Sequence, residues 1–436
     1  MSKKWIVVLT LFVVSIVIGV VWLSTVIGIF PSGESIKPVQ LYFADNISPA
    51  LQTAIDEFNR LHRGQIEVVP VNLPFDKFST NERKEVLART LRSKSEKLDV
   101  FAVDMIWVPR FARWSEPLDA HITAPEKERL LSYAMGSCVF EQTLVAMPMY
   151  IDVGLMYYRK DLIRMLPDAD AIERRLQESV TWEEMSILRR RMGLTRRPFY
   201  IFQGKDYEGL VCNFLELAVN LDSSILKGKV INLRAPASEQ ALRTLVDFLR
   251  TNASPSEVTD FEENPSYTYM LDHDAVFLRG WPNFVENFRR FYPDTTKLNA
   301  IGRAPLPHYG GHTPTSVLGG WNLMISKSST KKEAAVEFVR FLESDRIQRL
   351  LFEDGGFIPV INSLYHDTTF LSAHKELVLY SQLLKRGFHR PAFEEYTKMS
   401  DIVSHFAHLA LKQQLPVHEA LLAADRMIRS NAVLIK

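Results

Sequence analysis

Apolar residues follow three rhythms along this chain, and each predicts a different structure. The first is an unbroken run. Trp5 to Phe30 is 26 residues without a charge. A membrane-spanning helix needs about 20 apolar residues, whereas the apolar part of a signal peptide is nearer about 7 to 15. Lys3 and Lys4 precede the run, Pro31-Ser-Gly-Glu follows it, and there is no clear Ala-x-Ala cleavage site and no cysteine behind it. The run therefore reads as an uncleaved transmembrane helix with its N-terminus in the cytoplasm. Ser32 to Pro38 is then a polar tether. The alternative is a long signal peptide cut near Ser32. Either way residues 39–436 are exported.

The second rhythm alternates short strands with amphipathic helices. Val39 to Phe43 reads as a strand. Ser48-Pro49 opens a helix with Ser as N-cap and Pro in the first turn. Leu51, Ala54, Ile55, Phe58 and Leu61 share one face of it, and Gly64 closes it. Ile66–Val71 is a strand, Asn81–Lys94 a helix, and Leu98–Val103 a strand that delivers Asp104 at its end. That order is a parallel α/β sheet, where ligands bind beyond the carboxyl ends of strands. Asp104 and the Asp45-Asn46 pair fall there. Further on, Thr181-x-x-Glu184 is a capping box for a helix to Arg191. Phe199–Phe202 reads as a strand, Tyr207–Asn220 and Glu239–Arg250 as helices, and Asp274–Leu278 as a strand that brings Trp281 to its end. Ala300–Ala304 is a short strand. Ser316–Ser326 is a glycine-rich turn feeding another, and Thr330-x-x-Glu333 caps a helix through Leu342. A further helix runs to Glu353, and the pattern is helical from Tyr380 onward apart from Gly387–Pro391.

The third rhythm is an interrupted strand. Thr143–Met147 and Gly154–Tyr158 each look like buried strands, with Pro148, Tyr150 and Asp152 between them. A strand that breaks at proline and restarts marks either a crossover between two sheets or a bend within one. The crossover reading puts Tyr150 and Asp152 at the mouth of a cleft.

Length and composition sharpen this. At 436 residues the chain suits two or three domains. Its 52 basic and 51 acidic residues leave a net charge of +1. Nothing clusters as a nucleic-acid surface would. Two cysteines, Cys138 and Cys212, are too few for a disulfide scaffold or a cysteine zinc site. Cys212 falls on an apolar helix face, as a buried thiol would; a pairing with Cys138 stays open. His405 and His408 are three apart on a predicted helix, a spacing that could hold a metal, but solvated or packed histidines are the default reading. The chain lacks a nucleophile elbow, a phosphate loop, G-x-G-x-x-G and H-E-x-x-H. What remains is a set of residues at predicted strand ends and turns: Trp281, Trp321, Tyr150, Asp152, Asp104 and Arg390. Aromatic faces ringed by carboxylates and guanidinium forks suit polyhydroxylated ligands.

Five stretches now carry a resemblance. They are Leu98-Asp-Val-Phe-Ala-Val-Asp-Met-Ile-Trp107, Met147 to Leu162, Phe202-Gln-Gly-Lys-Asp-Tyr-Glu-Gly-Leu-Val-Cys-Asn-Phe-Leu-Glu216, Leu318-Gly-Gly-Trp-Asn-Leu323 and Gly356-Phe-Ile-Pro-Val. Over roughly residues 39–432 the chain resembles the maltose/trehalose-type, family 1 extracellular sugar-binding proteins of ABC importers. The resemblance implies a two-lobed periplasmic-binding-protein fold of α/β class, with discontinuous lobes and a multi-strand hinge. With the anchor and tether at 1–38, lobe one becomes 39–149 plus 301–356 and lobe two 150–300 plus 357–436. It also implies ligand contacts at Arg83, Asp104, Tyr150, Asp152, Trp281, Gly319, Trp321 and Arg390, with Arg83 placed only by its spacing before Asp104.

Three departures stand out. Relatives often have an acidic residue in the first helix, where this chain has Ser48-Pro-Ala-Leu-Gln. They often have Tyr at the position of Asn283. Many use a lipid anchor or float free. The implied function is capture of a sugar, in the first place a disaccharide, for ABC permease subunits. It needs no cofactor, metal, nucleic acid or catalysis, and the site is held at the cytoplasmic membrane facing the periplasm or cell exterior. The alternatives are a ligand-sensing subunit of a membrane receptor and a carbohydrate hydrolase using Asp104 and Asp152.

Overall fold

The computed structural model describes residues 3–26, 37–74, 77–78, 80–193, 197–228, 230–430, 432 and 434. Most of the expected tether, 32–36, lies outside them. The apolar run is helical over Lys3–Val26. Among the described residues no helix is long and apolar enough to cross a membrane, so the spanning helix expected from the sequence is not shown.

From Val39 on, the described residues form twelve strands: β1 (Val39–Asp45), β2 (Ile66–Asn72), β3 (Val100–Asp104), β4 (Val139–Phe140), β5 (Thr143–Leu144), β6 (Met147–Val153), β7 (Leu155–Arg159), β8 (Tyr200–Ile201), β9 (Phe277–Gly280), β10 (Ile301–Ala304), β11 (Ser316–Ile325) and β12 (Gly387–Phe388). They form two sheets and a small hairpin. One sheet has the order β12-β11-β3-β1-β2, with β6 on the other side of β11; the second is β10-β7-β9-β8; β4 and β5 pair separately. Each sheet is the floor of one lobe.

Local chemistry explains the elements. Ser48 accepts a hydrogen bond from Leu51 N at 3.2 Å and starts the helix Pro49–Leu61. That helix buries Leu51, Ala54, Ile55 and Phe58. Around Phe58 and Phe43 the ring of Phe338 packs edge-on at 5.1 and 5.2 Å, joining the helices at the two ends of lobe one. Thr181 and Glu184 bond reciprocally at the start of Trp182–Arg191.

Several expectations change. The break in the third rhythm falls at Gly154, not at Pro148–Asp152. β6 runs unbroken through those residues, and only Gly154 separates it from β7 in the other sheet. Pro148 is accommodated by a bulge: Tyr150 faces Trp321 while Pro148 faces Asn322, which leaves Met149 unpaired in the register. Thr143 and Leu144 belong to the β4–β5 hairpin instead of leading into β6. Gly319-Gly320 is not a turn but the middle of β11. The helix expected to be capped by Thr330 starts at Lys332 with Lys331 at the cap position.

Sheet membership also moves the lobe boundary. β10, assigned above to lobe one with residues 301–356, pairs antiparallel with β7 in the second sheet. A four-residue strand carries no mark of its partner; tertiary pairing decides it. Residues 357–361 bond back to the first lobe, through Ile151 N to Ile358 O and Leu131 N to Val360 O. The helices Tyr396–Leu411 and Val417–Arg429 pack on Glu208–Leu221 and Pro236–Arg250 of the second. The chain thus passes between lobes at Gly154, at 305–315 and between 362 and 395. Cys138 and Cys212 are free and buried.

Candidate functional site

The site residues expected from the sequence gather around β11 and the strand ends beside it. β11 organises them. Its Trp321 sits opposite Asp104 on β3 and opposite Tyr150 on β6, and its Gly319 sits opposite Asp152. Trp281 comes from the other lobe, after β9, and packs on the same strand: a Cβ on Gly319 would lie 3.0 Å from its Cζ3. Only glycine lets the indole approach so closely.

Charges fill the space between. Arg83, fully buried, donates from Nη2 to Asp45 Oδ1 at 2.8 Å, and its guanidinium lies 4.3 Å from the Trp321 ring centroid. Arg390 donates from Nη1 to Glu208 Oε1 at 2.7 Å and from Nη2 to Asp104 Oδ1 at 3.4 Å. Glu208 is on a helix of lobe two and Asp104 ends a strand of lobe one, so Arg390 ties the lobes together. Tyr396 and Ser400 also donate to Glu208 Oε1 and Oε2, respectively. Asp104 Oδ1 accepts from Ile106 N as well. Tyr150 packs against Phe357, 4.5 Å between centroids.

Asp152 differs from these. It is buried, and among the described residues its Oδ1 has no hydrogen-bond partner. Burial pushes its carboxyl up to about 7; the Asp104 charge pushes the same way and Arg279 pulls against both. Burial also raises Asp45 to about 6 in spite of Arg83, and raises Asp104 against the pull of Arg390. A carboxyl neutral in the fold and charged when unfolded takes up a proton on folding. Its contribution is present in acid and lost as pH rises through the folded value. We therefore expect the stability from Asp152 to fall from about pH 4 to about pH 7, where the unfolded chain has lost the proton that the fold keeps, and Asp152→Asn to flatten that fall. Denaturant titrations across this range check it; identical profiles for the two proteins would remove Asp152 from the buried cluster.

The sequence missed three acidic partners. Asp45 was visible as a strand-end residue, but not its pairing with Arg83. Glu208 lies inside a stretch that carried the resemblance. Glu263, which accepts from Trp281 Nε1 at 3.3 Å, had no sequence signal. His405 and His408 are spent on Asp206 and on the Gly204 carbonyl. Among the described residues no three His, Cys, Asp or Glu side chains gather as a metal site requires. The arrangement can accept and donate many hydrogen bonds beside two indole rings.

Residues 44–349 match the family described as bacterial extracellular solute-binding protein. A probable ABC transporter-binding protein of Deinococcus radiodurans is 26% identical over 77% of this chain and 80% of its own length. The maltose-bound MalE3 protein of T. maritima superposes with a TM-score of 0.81 at 26% identity, over 90% of this chain and all of that one. A solute-binding protein of Thermotoga lettingae with bound α-D-tagatose has a TM-score of 0.77 at 20% identity, over 90% and 99% of the two chains, and shares the fold.

Proposed function

This chain belongs to the bacterial extracellular solute-binding proteins, and from that premise we propose that it captures a sugar between its lobes and delivers it to an ABC permease. A disaccharide is the first candidate. It is not an enzyme: the family and its structural neighbours are binding proteins. The observation that carries the sugar reading is convergence. Residues spread from Asp45 to Arg390 gather around one strand, β11, as two tryptophans, three aspartates and two arginines. Indole faces take the C–H side of a sugar ring, and carboxylates and guanidinium forks take its hydroxyls. A ligand that touches both lobes binds the closed form better, so the closed population rises with ligand. Incubation with maltose tests both halves of the statement: the sugar should be retained by the protein and recovered intact. Appearance of glucose would make the protein a hydrolase.

Trp281→Ala should weaken maltose binding at least about tenfold. Stacked aromatics give ~0.5–1.5 kcal/mol beyond area burial, and lost area adds to that. The fold should survive, because Trp281 is half-buried in a loop after β9. Calorimetric affinity equal to the wild type would place the ring outside the site.

We further propose that the N-terminal helix anchors the protein in the cytoplasmic membrane with the lobes facing outward. The charge-free run Trp5 to Phe30 is 26 residues, against the about 20 that a spanning helix needs, and its described part is helical over Lys3–Val26. Trp5, Phe12, Ile16, Ile18, Val20 and Trp22 are exposed on it, and they lie on every side rather than on one stripe. N-terminal sequencing of membrane-derived protein should return Met1 or Ser2. A mature start near Ser32 would show cleavage.

A further inference from the structure

The indole of Trp281 is fixed from behind by an ion pair that also reaches the crossover between the lobes. Arg279, fully buried on β9, holds its guanidinium 4.0 Å from the Trp281 ring centroid. The guanidinium is itself fixed: Nε donates to Glu216 Oε2 at 3.0 Å and Nη2 to Glu216 Oε1 at 2.8 Å. Glu216, on the helix Glu208–Leu221, then borders the crossover at Gly154 and the start of β11 beside it. Val317 N of β11 donates to its Oε1 at 3.3 Å. Gly154, the one residue between β6 and β7, leaves no room for a Cβ beside that same oxygen, and such a Cβ would come within 2.9 Å of Arg279 Nη2. Gly154 N in turn donates to Val317 O at 3.1 Å. Two residues along β11 from Val317 is Gly319, on which the far side of the Trp281 ring rests.

We propose that Glu216 and Arg279 are positioning residues that hold Trp281 in its stacking orientation and tie that orientation to the hinge at Gly154 and Val317. The inference rests on the reading of the cleft as a sugar site. When lobe two turns about Gly154, the carboxylate that borders the hinge moves with the guanidinium that backs the ring, so the ring reaches Gly319 as the lobes close. A planar fork held at two points against an indole is a geometry that arginine supplies and lysine does not. The same arrangement recurs across the cleft, where Arg83, bonded to Asp45, lies against Trp321.

The test uses Arg279→Lys, which keeps the charge and loses the fork, and the double variant Arg279→Met/Glu216→Gln, which removes both charges. Arg279→Met alone leaves Glu216 buried and unpaired, which can prevent folding. Two readouts are taken on the full chain. The first is acrylamide quenching of Trp281 emission without sugar, obtained as the difference from each protein's Trp281→Phe counterpart. The second is maltose affinity by calorimetry. The proposal predicts quenching that rises toward that of an exposed indole in both variants, with affinity about tenfold weaker. Unchanged quenching overturns it, whatever happens to stability, because the pair would then be a structural tie only. Freed quenching with wild-type affinity overturns it too. If the wild type itself takes up no maltose, the sugar reading fails for that probe, while quenching still decides whether the pair positions the ring.

Discussion

The full chain carrying Gly320→Ala should lose about 2–6 kcal/mol of unfolding free energy, on the order of the whole margin of many domains. Gly320 has φ +135, a backbone conformation that L side chains rarely adopt. A Cβ there would lie 2.6 Å from Tyr150 O and 2.9 Å from Ile151 Cα. Both are backbone atoms of β6, which cannot yield without losing the register that sets Trp321 against Tyr150 and Gly319 against Asp152. Strain of about 1–3 kcal/mol and overpacking of similar size add. Gly136→Ala is the control, because a Cβ there meets nothing closer than 3.6 Å. Urea titrations of both variants check the prediction. A Gly320→Ala midpoint equal to that of the control would mean that β11 and β6 are not paired as described.

The second large effect falls on ligand binding. Asp152→Asn keeps the shape of the side chain and turns one acceptor into a donor. Above about pH 7, where the group is a carboxylate, Oδ1 is buried without a partner among the described residues. A ligand hydroxyl that donates to it would be mispaired in the variant. A buried polar group left unsatisfied costs ~1–3 kcal/mol, or about tenfold to a hundredfold in affinity. Stability without ligand should not fall, and above about pH 7 it should rise, because the variant no longer buries a charge. Calorimetry on wild type and variant checks the first part. Equal affinities would remove Asp152 from the site.

Periodicity and caps made the local elements legible. Ser48, Thr181 and the apolar face of Pro49–Leu61 announce themselves because capping and amphipathicity are local interactions. Asp104 and Trp281 were readable as strand-end residues for the same reason. Gly319-Gly320 misled because paired glycines signal turns, whereas here they admit β6 and the Trp281 ring to close contact. Other features depend on partners far away in the chain. Arg390 finds Glu208 across 182 positions and Asp104 across 286, and Arg279 finds Glu216 across 63. β10 could have joined either sheet by its own composition, and only its pairing with β7 decided. The site residues named from resemblance fall together, but the pairing of Arg83 with Asp45 and of Arg390 with Glu208 was not legible, because no local pattern links an ion pair's two halves.

The central claim is sugar capture, and thermal unfolding of the full-length protein against a panel of mono-, di- and trisaccharides, polyols and non-sugar solutes tests it most directly. A ligand present at about 100 times its dissociation constant stabilises the folded state by about 2.7 kcal/mol. The account predicts that at least one sugar, with disaccharides foremost, raises the unfolding midpoint by the corresponding amount, and that Trp281→Ala removes about half of the rise or more at the same concentration. A panel in which no sugar or polyol moves the midpoint while a non-sugar solute does would contradict it.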